Sequence, residues 1–376
     1  MATVAERVQD RIERARVADP PETRPFLRSR PPAAGDVVLS SNDYLALSRD
    51  ARITAAIAAA VDSAPGDDLH ALTDQLTRYL RAGAGIVCQS GWDANIGLLQ
   101  AISEPGTPVY IDRLAHMSLR QGAVAAGAPV HTFRHNDLDH LRAQIRAHGP
   151  GIIAVDAIYS TSGCRSPLPH LCEIAEDTGG LLVVDESHSL GIEGPEGAGV
   201  VVALGLADRV PFRTASLAKT FVGRAGVVAA RDPAFAGYFE SASYPAVFSS
   251  GLRSHDIAGL AATLAVVRTE HHRRARLRSI AVTVRKALTA LGFDLAGSDS
   301  QIVSIPTGTE AHGRAVRDIL ERHGILGSPF CPPATPPGGA LIRLSLHAAL
   351  EDRQVDRIIQ ACTEIRATFG VRPPGM

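Results

Sequence analysis

The chain has 376 residues, 45% apolar and 20% charged, more than one hydrophobic core ordinarily organises and ample for a two-lobed enzyme. Its 38 basic and 39 acidic residues nearly cancel, so no nucleic acid or membrane surface is expected as an electrostatically drawn partner. The five cysteines (Cys88, Cys164, Cys172, Cys331, Cys362) are odd in number and lack C-x-x-C spacing, which argues against a zinc site or a disulfide framework and fits a reducing cytoplasm.

Residues 1–50 read as an N-terminal arm. A polar amphipathic helix over 4–17 passes into Pro20-Pro21 and Pro31-Pro32, and the arm is expected to act as a lid or a dimer contact. Acids mixed with arginines leave no apolar core for a secretion signal, and no run in the chain approaches the roughly 18 apolar residues of a membrane span.

Residues 51–260 read as a large domain. Short apolar strands are predicted over 86–89, 109–112, 130–133, 152–158, 181–185, 212–216 and 226–230. Helical stretches fall between them, among them 138–148, introduced by Asn136-Asp137, and 169–178. The alternation predicts βαβ units and an α/β fold with a largely parallel sheet covered on both faces. Ligands of such sheets lie beyond the strand carboxyl ends, where Gly, Ser and Asp collect here. One long helix rich in Arg and Ala, over 254–291, leads into a smaller C-terminal domain, 261–376. Its predicted strands are 301–306 and 341–346 and its helices 313–323 and 351–369, with a proline-rich loop over 332–337 expected at the junction of the lobes.

Two strand exits carry the chemistry. Asp185 follows Leu181-Leu182-Val183-Val184, an apolar setting in which an unpaired carboxylate is costly, so a cationic partner is expected unless the residue merely caps the next turn. Lys219 follows a second strand among Ala215, Ser216 and Ala218. A desolvated amine has a lowered pKa and is nucleophilic, although a partly buried lysine with a salt-bridge partner remains an alternative. An acid and a lysine so placed are what pyridoxal phosphate (PLP) requires: a lysine for the Schiff base and a carboxylate for the pyridine nitrogen.

Supporting positions are weaker singly. Ser90-Gly91-Trp92 closes a strand and opens a helical run, so backbone N–H groups there suit a phosphate, or simply make an ordinary cap. His116, one of fourteen histidines, lies just past a strand where an imidazole suits stacking on a ring, and His188 shares the exit of Asp185. Ser216, Ser249 and Ser250 offer hydroxyls. A nucleotide-binding protein without catalysis is disfavoured, since neither G-x-G-x-x-G nor G-x-x-x-x-G-K-[ST] occurs at a strand exit.

Together the phrases Asn42-Asp43-Tyr44-Leu45-Ala46-Leu47, Ser90-Gly91-Trp92, Ala115-His116-Met117-Ser118, Asp185-Glu186-Ser187-His188, Ser216-Leu217-Ala218-Lys219 and Ile342-Arg343-Leu344-Ser345 resemble the α-oxoamine synthase family. Within it they look closest to the autoinducer synthases that make α-aminoketone quorum signals. The resemblance spans about 37–365 and implies a fold-type I PLP-dependent transferase, aspartate aminotransferase-like, acting as a homodimer. It implies an acyltransferase that condenses an amino acid with an acyl thioester, on coenzyme A or a carrier protein, with decarboxylation to an α-aminoketone. The autoinducer branch also suggests elimination or substitution on S-adenosylmethionine or another γ-substituted amino acid.

By that resemblance Lys219 would carry the Schiff base and act as the base at Cα, Asp185 would pair with the ring nitrogen, and His116 would stack on the ring. His188 would approach the ring hydroxyl and Ser160 would lie beside the cofactor. Ser90, Gly91, Trp92 and Ser216 would hold the phosphate, with Ser250 reaching it across a dimer interface. Asn42 and Arg343 would hold the amino-acid carboxylate. Two departures stand out. The Gly/Ser-rich loop usual between Asn42 and His70 is trimmed to Ser63-Ala64-Pro65-Gly66-Asp67-Asp68, and Pro332 stands where the autoinducer branch leads one to expect arginine.

Overall fold

A computed structural model describes residues 2–18, 26–62, 68–295 and 297–370. The strands are β1 (Val37–Val38), β2 (Ala84–Cys88), β3 (Val109–Asp112), β4 (Val130–Phe133), β5 (Ile152–Asp156), β6 (Leu181–Asp185), β7 (Phe212–Ser216), β8 (Gly226–Ala230), β9 (Ile302–Gly308), β10 (Ile325–Leu326), β11 (Ser328–Phe330) and β12 (Ala340–Ser345). The first helices are α1 (Val4–Ala18), α2 (Ala51–Ala60), α3 (Asp68–Tyr79), α4 (Gly91–Ile102), α5 (Met117–Ala125), α6 (Leu138–His148) and α7 (Leu168–Thr178). They continue with α8 (Val200–Ala203), α9 (Phe235–Ala242), α10 (Tyr244–Phe248), α11 (Ser254–Thr269), α12 (His271–Ala290), α13 (Glu310–Arg322) and α14 (Asp352–Phe369).

The central sheet runs β2-β8-β7-β6-β5-β3-β4. The pairs among β7, β6, β5, β3 and β4 are parallel, whereas β8 lies antiparallel to both β7 and β2, so the sheet is mixed at one edge. Alternation along each strand feeds two buried layers. Ile152 and Ala154 of β5 join Leu98 and Leu99 of α4 on one face, and Ile153 and Val155 join Leu168 and Leu171 of α7 on the other. With both faces filled, polar groups collect at the strand ends, and Asp156 and Asp185 end adjacent strands in register.

The C-terminal unit holds a three-stranded antiparallel sheet, β11-β12-β9. The prolines of 332–337 lie in the connection between β11 and β12, inside this sheet. The segment before residue 50 is tied to the same unit: β1 pairs in parallel with β10, Val37 opposite Ile325, and Phe26 is buried against Gly313. By contrast, α1 exposes Val4, Val8 and Ile12 along one stripe. The Pro20-Pro21 pair and the trimmed loop up to Asp67 fall outside the described residues.

The single helix predicted over 254–291 is two helices, broken at Glu270 (φ −82°, ψ 50°). Its buried carboxylate leaves the helix axis to bind Arg52 at 2.6 Å and Arg273 at 3.1 Å. Asp50, which caps α2 by accepting from Arg52 N, binds Arg52 at 2.7 Å and Arg273 at 3.5 Å. Hydrogen bonding to Arg52 holds the Asp50 carboxyl down at about 2. A carboxyl depressed in the folded state adds stability above its ordinary value near 3.8, and that stability is lost as the pH falls through about 2. Asp50→Asn is therefore expected to destabilise by up to about 1 kcal/mol at pH 7. Thermal melts should show this difference from wild type closing between pH 3.8 and about 2.

Candidate active site

The carboxyl ends of β5, β6 and β7, the start of α4 and the start of α5 surround a cavity of about 250 Å³. Its lining includes Gly91, His116, Asp185, His188, Ser216 and Lys219, so the strand exits marked in the sequence do converge.

Asp185 is buried at the end of β6 and accepts a hydrogen bond on each oxygen, from Ser187 N at 2.8 Å and from Asn95 Nδ2 at 2.7 Å. Asn95, on α4, also donates to Ser118 Oγ and accepts from Thr214 Oγ1 at 2.6 Å, which fixes the amide orientation and with it the carboxylate. Asp156, the neighbouring strand end, accepts from His116 N at 3.0 Å. Burial, and then the proximity of Asp185, push the Asp156 carboxyl well above its usual range. That favours a neutral Asp156 beside an Asp185 that accepts a donor on each oxygen.

Lys219 lies in the loop between β7 and β8, partly open to the cavity. Val222 follows with φ 48°, a left-handed conformation that strains a β-branched residue, and its N–H bonds back to Lys219 O at 3.0 Å. Burial lowers the lysine pKa, partly offset by Asp185 and Asp156. The amine is thus easier to deprotonate than a surface lysine, as imine formation needs.

The two histidines are held differently. His116 caps α5, with Nδ1 2.7 Å from Ser118 Oγ and the Trp92 ring edge-on at 6.0 Å between centroids. His188 is buried, with Nδ1 2.7 Å from the Tyr44 hydroxyl and its carbonyl accepting from Gln301 Nε2 at 2.9 Å. Burial, reinforced by Lys219, keeps His188 well below the ordinary imidazole value, so it is neutral at physiological pH.

At the opposite wall, Ser90 caps α4 by accepting from Asp93 N at 3.1 Å. The helix begins at Gly91, directly after this cap. The N–H groups of Gly91 and Trp92 therefore precede the first helical hydrogen bonds and border the cavity. A Cβ on Gly91 would sit 2.5 Å from Ser216 Cβ and 2.7 Å from Ser216 Cα. Ser216 N itself donates to Ser187 Oγ at 2.7 Å.

The donor set fits PLP. A buried carboxylate suits a pyridinium, an amine with lowered pKa suits an aldehyde, a neutral imidazole suits a ring hydroxyl, and a helix start reached through glycine suits a phosphate. Gly91→Ala is expected to push α4 off β7 and weaken PLP binding about tenfold or more, read by absorbance titration of the apoprotein.

Asn42 and Arg343 form a second cluster. Arg343 donates to Asn42 Oδ1 at 3.1 Å and to Ser160 O at 3.0 Å, and its guanidinium lies 4.9 Å from the Phe330 ring centroid. Its Nε is buried without a partner. Tyr44, completely buried, joins the clusters, because its hydroxyl meets both His188 Nδ1 and, at 3.2 Å, Asn42 Oδ1. Ser160 meets Arg343 through its backbone carbonyl and is not in the cavity lining, and Ser250 lies exposed beyond α10. Sequence reasoning gave no role to Asn95 or Asp156, and cited Tyr44 and Ser187 only within phrases. A polar residue inside an apolar run was the available signal for Asn95 and Asp156.

Residues 34–362 match the family described as aminotransferase class I and II. A CAI-1 autoinducer synthase from Vibrio campbellii is 43% identical, over 89% of this chain and 87% of that protein. An 8-amino-7-oxononanoate synthase from Anaeromyxobacter dehalogenans is 34% identical, over 89% and 90% respectively. A solved structure of SPT with PLP superposes with a TM-score of 0.89 at 24% identity, covering 99% of this chain and all of that one, which bears on the fold.

Proposed function

The chain belongs to the aminotransferase class I and II family, and within it to the α-oxoamine synthases. From that premise we propose that it condenses an amino acid with an acyl thioester, losing the amino acid's carboxylate, to release an α-aminoketone. The observation that carries this reading is the Asn42–Arg343 pair joined through Tyr44 to the Lys219–Asp185 cavity, a carboxylate-binding fork beside an amine and an acid.

PLP is the cofactor, and when bound it supplies an aldehyde for the amine and a ring that accepts the electron pair left at Cα. Lys219 would hold it covalently and would serve, on Nζ, as the acceptor of the Cα proton. Asp185, locked by Asn95 and Ser187, would face the ring nitrogen. His188 stays neutral and offers a hydrogen bond rather than a competing positive charge. Arg343 and Asn42 orient the carboxylate that is to be lost.

Product analysis by mass spectrometry, over a panel of amino acids with and without acyl thioesters, tests the reading. Carbon dioxide release that depends on the thioester supports condensation. Turnover of S-adenosylmethionine or another γ-substituted amino acid without any thioester rejects it.

The working unit of this proposal is a homodimer in the cytoplasm. Tyr244, Val247 and Phe248 of α10 are exposed at 63%, 47% and 81%, an apolar patch costly to leave in water, and Ser249-Ser250 directly follow it. All five cysteines are unpaired, which suits a reducing compartment, and among the described residues no helix is long and apolar enough to cross a membrane. Sedimentation should find a dimer.

A further inference from the structure

Outside the lining of the cavity, the end of β3, the turn after β4 and the loop after β5 assemble Asp112, His135 and Cys164. Asp112 Oδ1 is 2.9 Å from His135 Nδ1 and also accepts from Leu114 N, while Oδ2 accepts from Asn136 N, both backbone bonds at 2.8 Å. The other ring nitrogen, His135 Nε2, lies 2.9 Å from Cys164 Sγ, and Ser162 Oγ lies 2.8 Å from the same sulfur. Tyr159 meets the imidazole edge-on at 4.5 Å between centroids. The order carboxylate, imidazole, thiol is that of an activated nucleophile, in which the acid orients the base and the base stands against the sulfur.

Burial works against a charged imidazole here, but Asp112 and Cys164 outweigh it and lift His135 to about 9. The sulfur therefore has a cation beside it at neutral pH. Burial pushes the thiols of Cys88 and Cys362 up to about 12 and that of Cys172 to about 11.

We infer that Cys164, held against His135 and Asp112, is a modification site: a thiol that reacts selectively with hydrogen peroxide. The thiolate attacks one peroxide oxygen, the S–O bond forms as the O–O bond breaks, and the departing hydroxide takes the Nε2 proton of His135 and leaves as water. Sulfur is oxidised to a sulfenic acid, peroxide is reduced, and a neutral imidazole remains. Cys164 is 6% exposed and the His135 side chain 18%, so access runs along the imidazole edge and suits a two-oxygen reagent rather than a bulky one. The loop that carries Cys164 also carries Ser160, whose carbonyl holds Arg343, so the added oxygen falls four residues along the chain from a contact of the carboxylate fork.

Full-length PLP-loaded protein is exposed to hydrogen peroxide and then denatured in a sulfenic-acid trap, and label on each cysteine is counted by peptide mass spectrometry. Cys164 is expected to label about tenfold faster than any other cysteine, and His135→Gln to slow that labelling about tenfold while circular dichroism stays unchanged. Labelling of Cys164 no faster than Cys172 or Cys362 would falsify the assignment without recourse to a variant. Equal labelling of Cys164 in wild type and in folded His135→Gln overturns the role of the imidazole.

Discussion

Replacing Lys219 by alanine is expected to leave a folded protein that still takes up PLP but turns over about 10⁴-fold more slowly. The side chain lies in the loop after β7, partly open to the cavity, so its truncation removes an amine without opening a hole in the packed sheet. The proposed mechanism gives Lys219 two functions, the covalent hold on the cofactor and the proton acceptor at Cα, so the loss is expected to exceed that of a binding residue. Absorbance and borohydride reduction read the first function, since wild type should keep the cofactor on the Lys219 peptide after reduction and the variant should keep none. Steady-state turnover reads the second. Added small amines should restore part of the rate, whereas a variant that loses activity by misfolding would not respond.

Asp185→Asn should be the next most damaging change, lowering turnover by roughly 10²- to 10⁴-fold, equivalent to the roughly 3–5 kcal/mol for breaking a buried ion pair. The exchange nearly preserves size and leaves an oxygen for Ser187 N or Asn95 Nδ2, but it substitutes a neutral amide for the carboxylate proposed to keep the ring nitrogen protonated. With one oxygen in place of two, the new amide sets its N–H₂ against either Asn95 Nδ2 or Ser187 N, and relief by flipping Asn95 breaks the bond from Thr214 Oγ1. Asn95→Ala should therefore show a milder form of the same defect, seen as a shifted cofactor absorbance with kcat lowered more than KM. An Asp185→Asn enzyme that works at the wild-type rate would remove the carboxylate from the mechanism.

Much of this architecture is legible in the sequence because strands buried on both faces must be apolar throughout. The strands ending at Asp112, Asp185 and Ala230 follow from apolar runs closed by a polar residue or a turn. The same rule hides Asp156: the apolar Ala157-Ile158 after it extends the run, so the strand was expected to reach 158 and its functional end was passed over. The break at Glu270 was invisible because helical periodicity continues through it, and only the tertiary pairing with Arg52 and Arg273 explains why the backbone departs there. Tyr44 carried no signal of its own. Its role is visible only once β1 has brought residues 37–44 alongside the C-terminal unit and against His188.

The pairing of Val37–Val38 with Ile325–Leu326 also sets when the enzyme can come into being on the ribosome. The seven strands of the large sheet lie between residues 84 and 230 and can associate while the rest is still being made. Asn42 emerges early and Arg343 late, so the carboxylate fork closes only after nearly the whole chain has been synthesised. Long-range closure of this kind is slow and leaves intermediate surfaces uncovered. Under the proposed assignment, a nascent chain would thus hold Lys219 and Asp185 in place before Asn42 meets Arg343, which makes cofactor capture possible earlier in biogenesis than substrate capture.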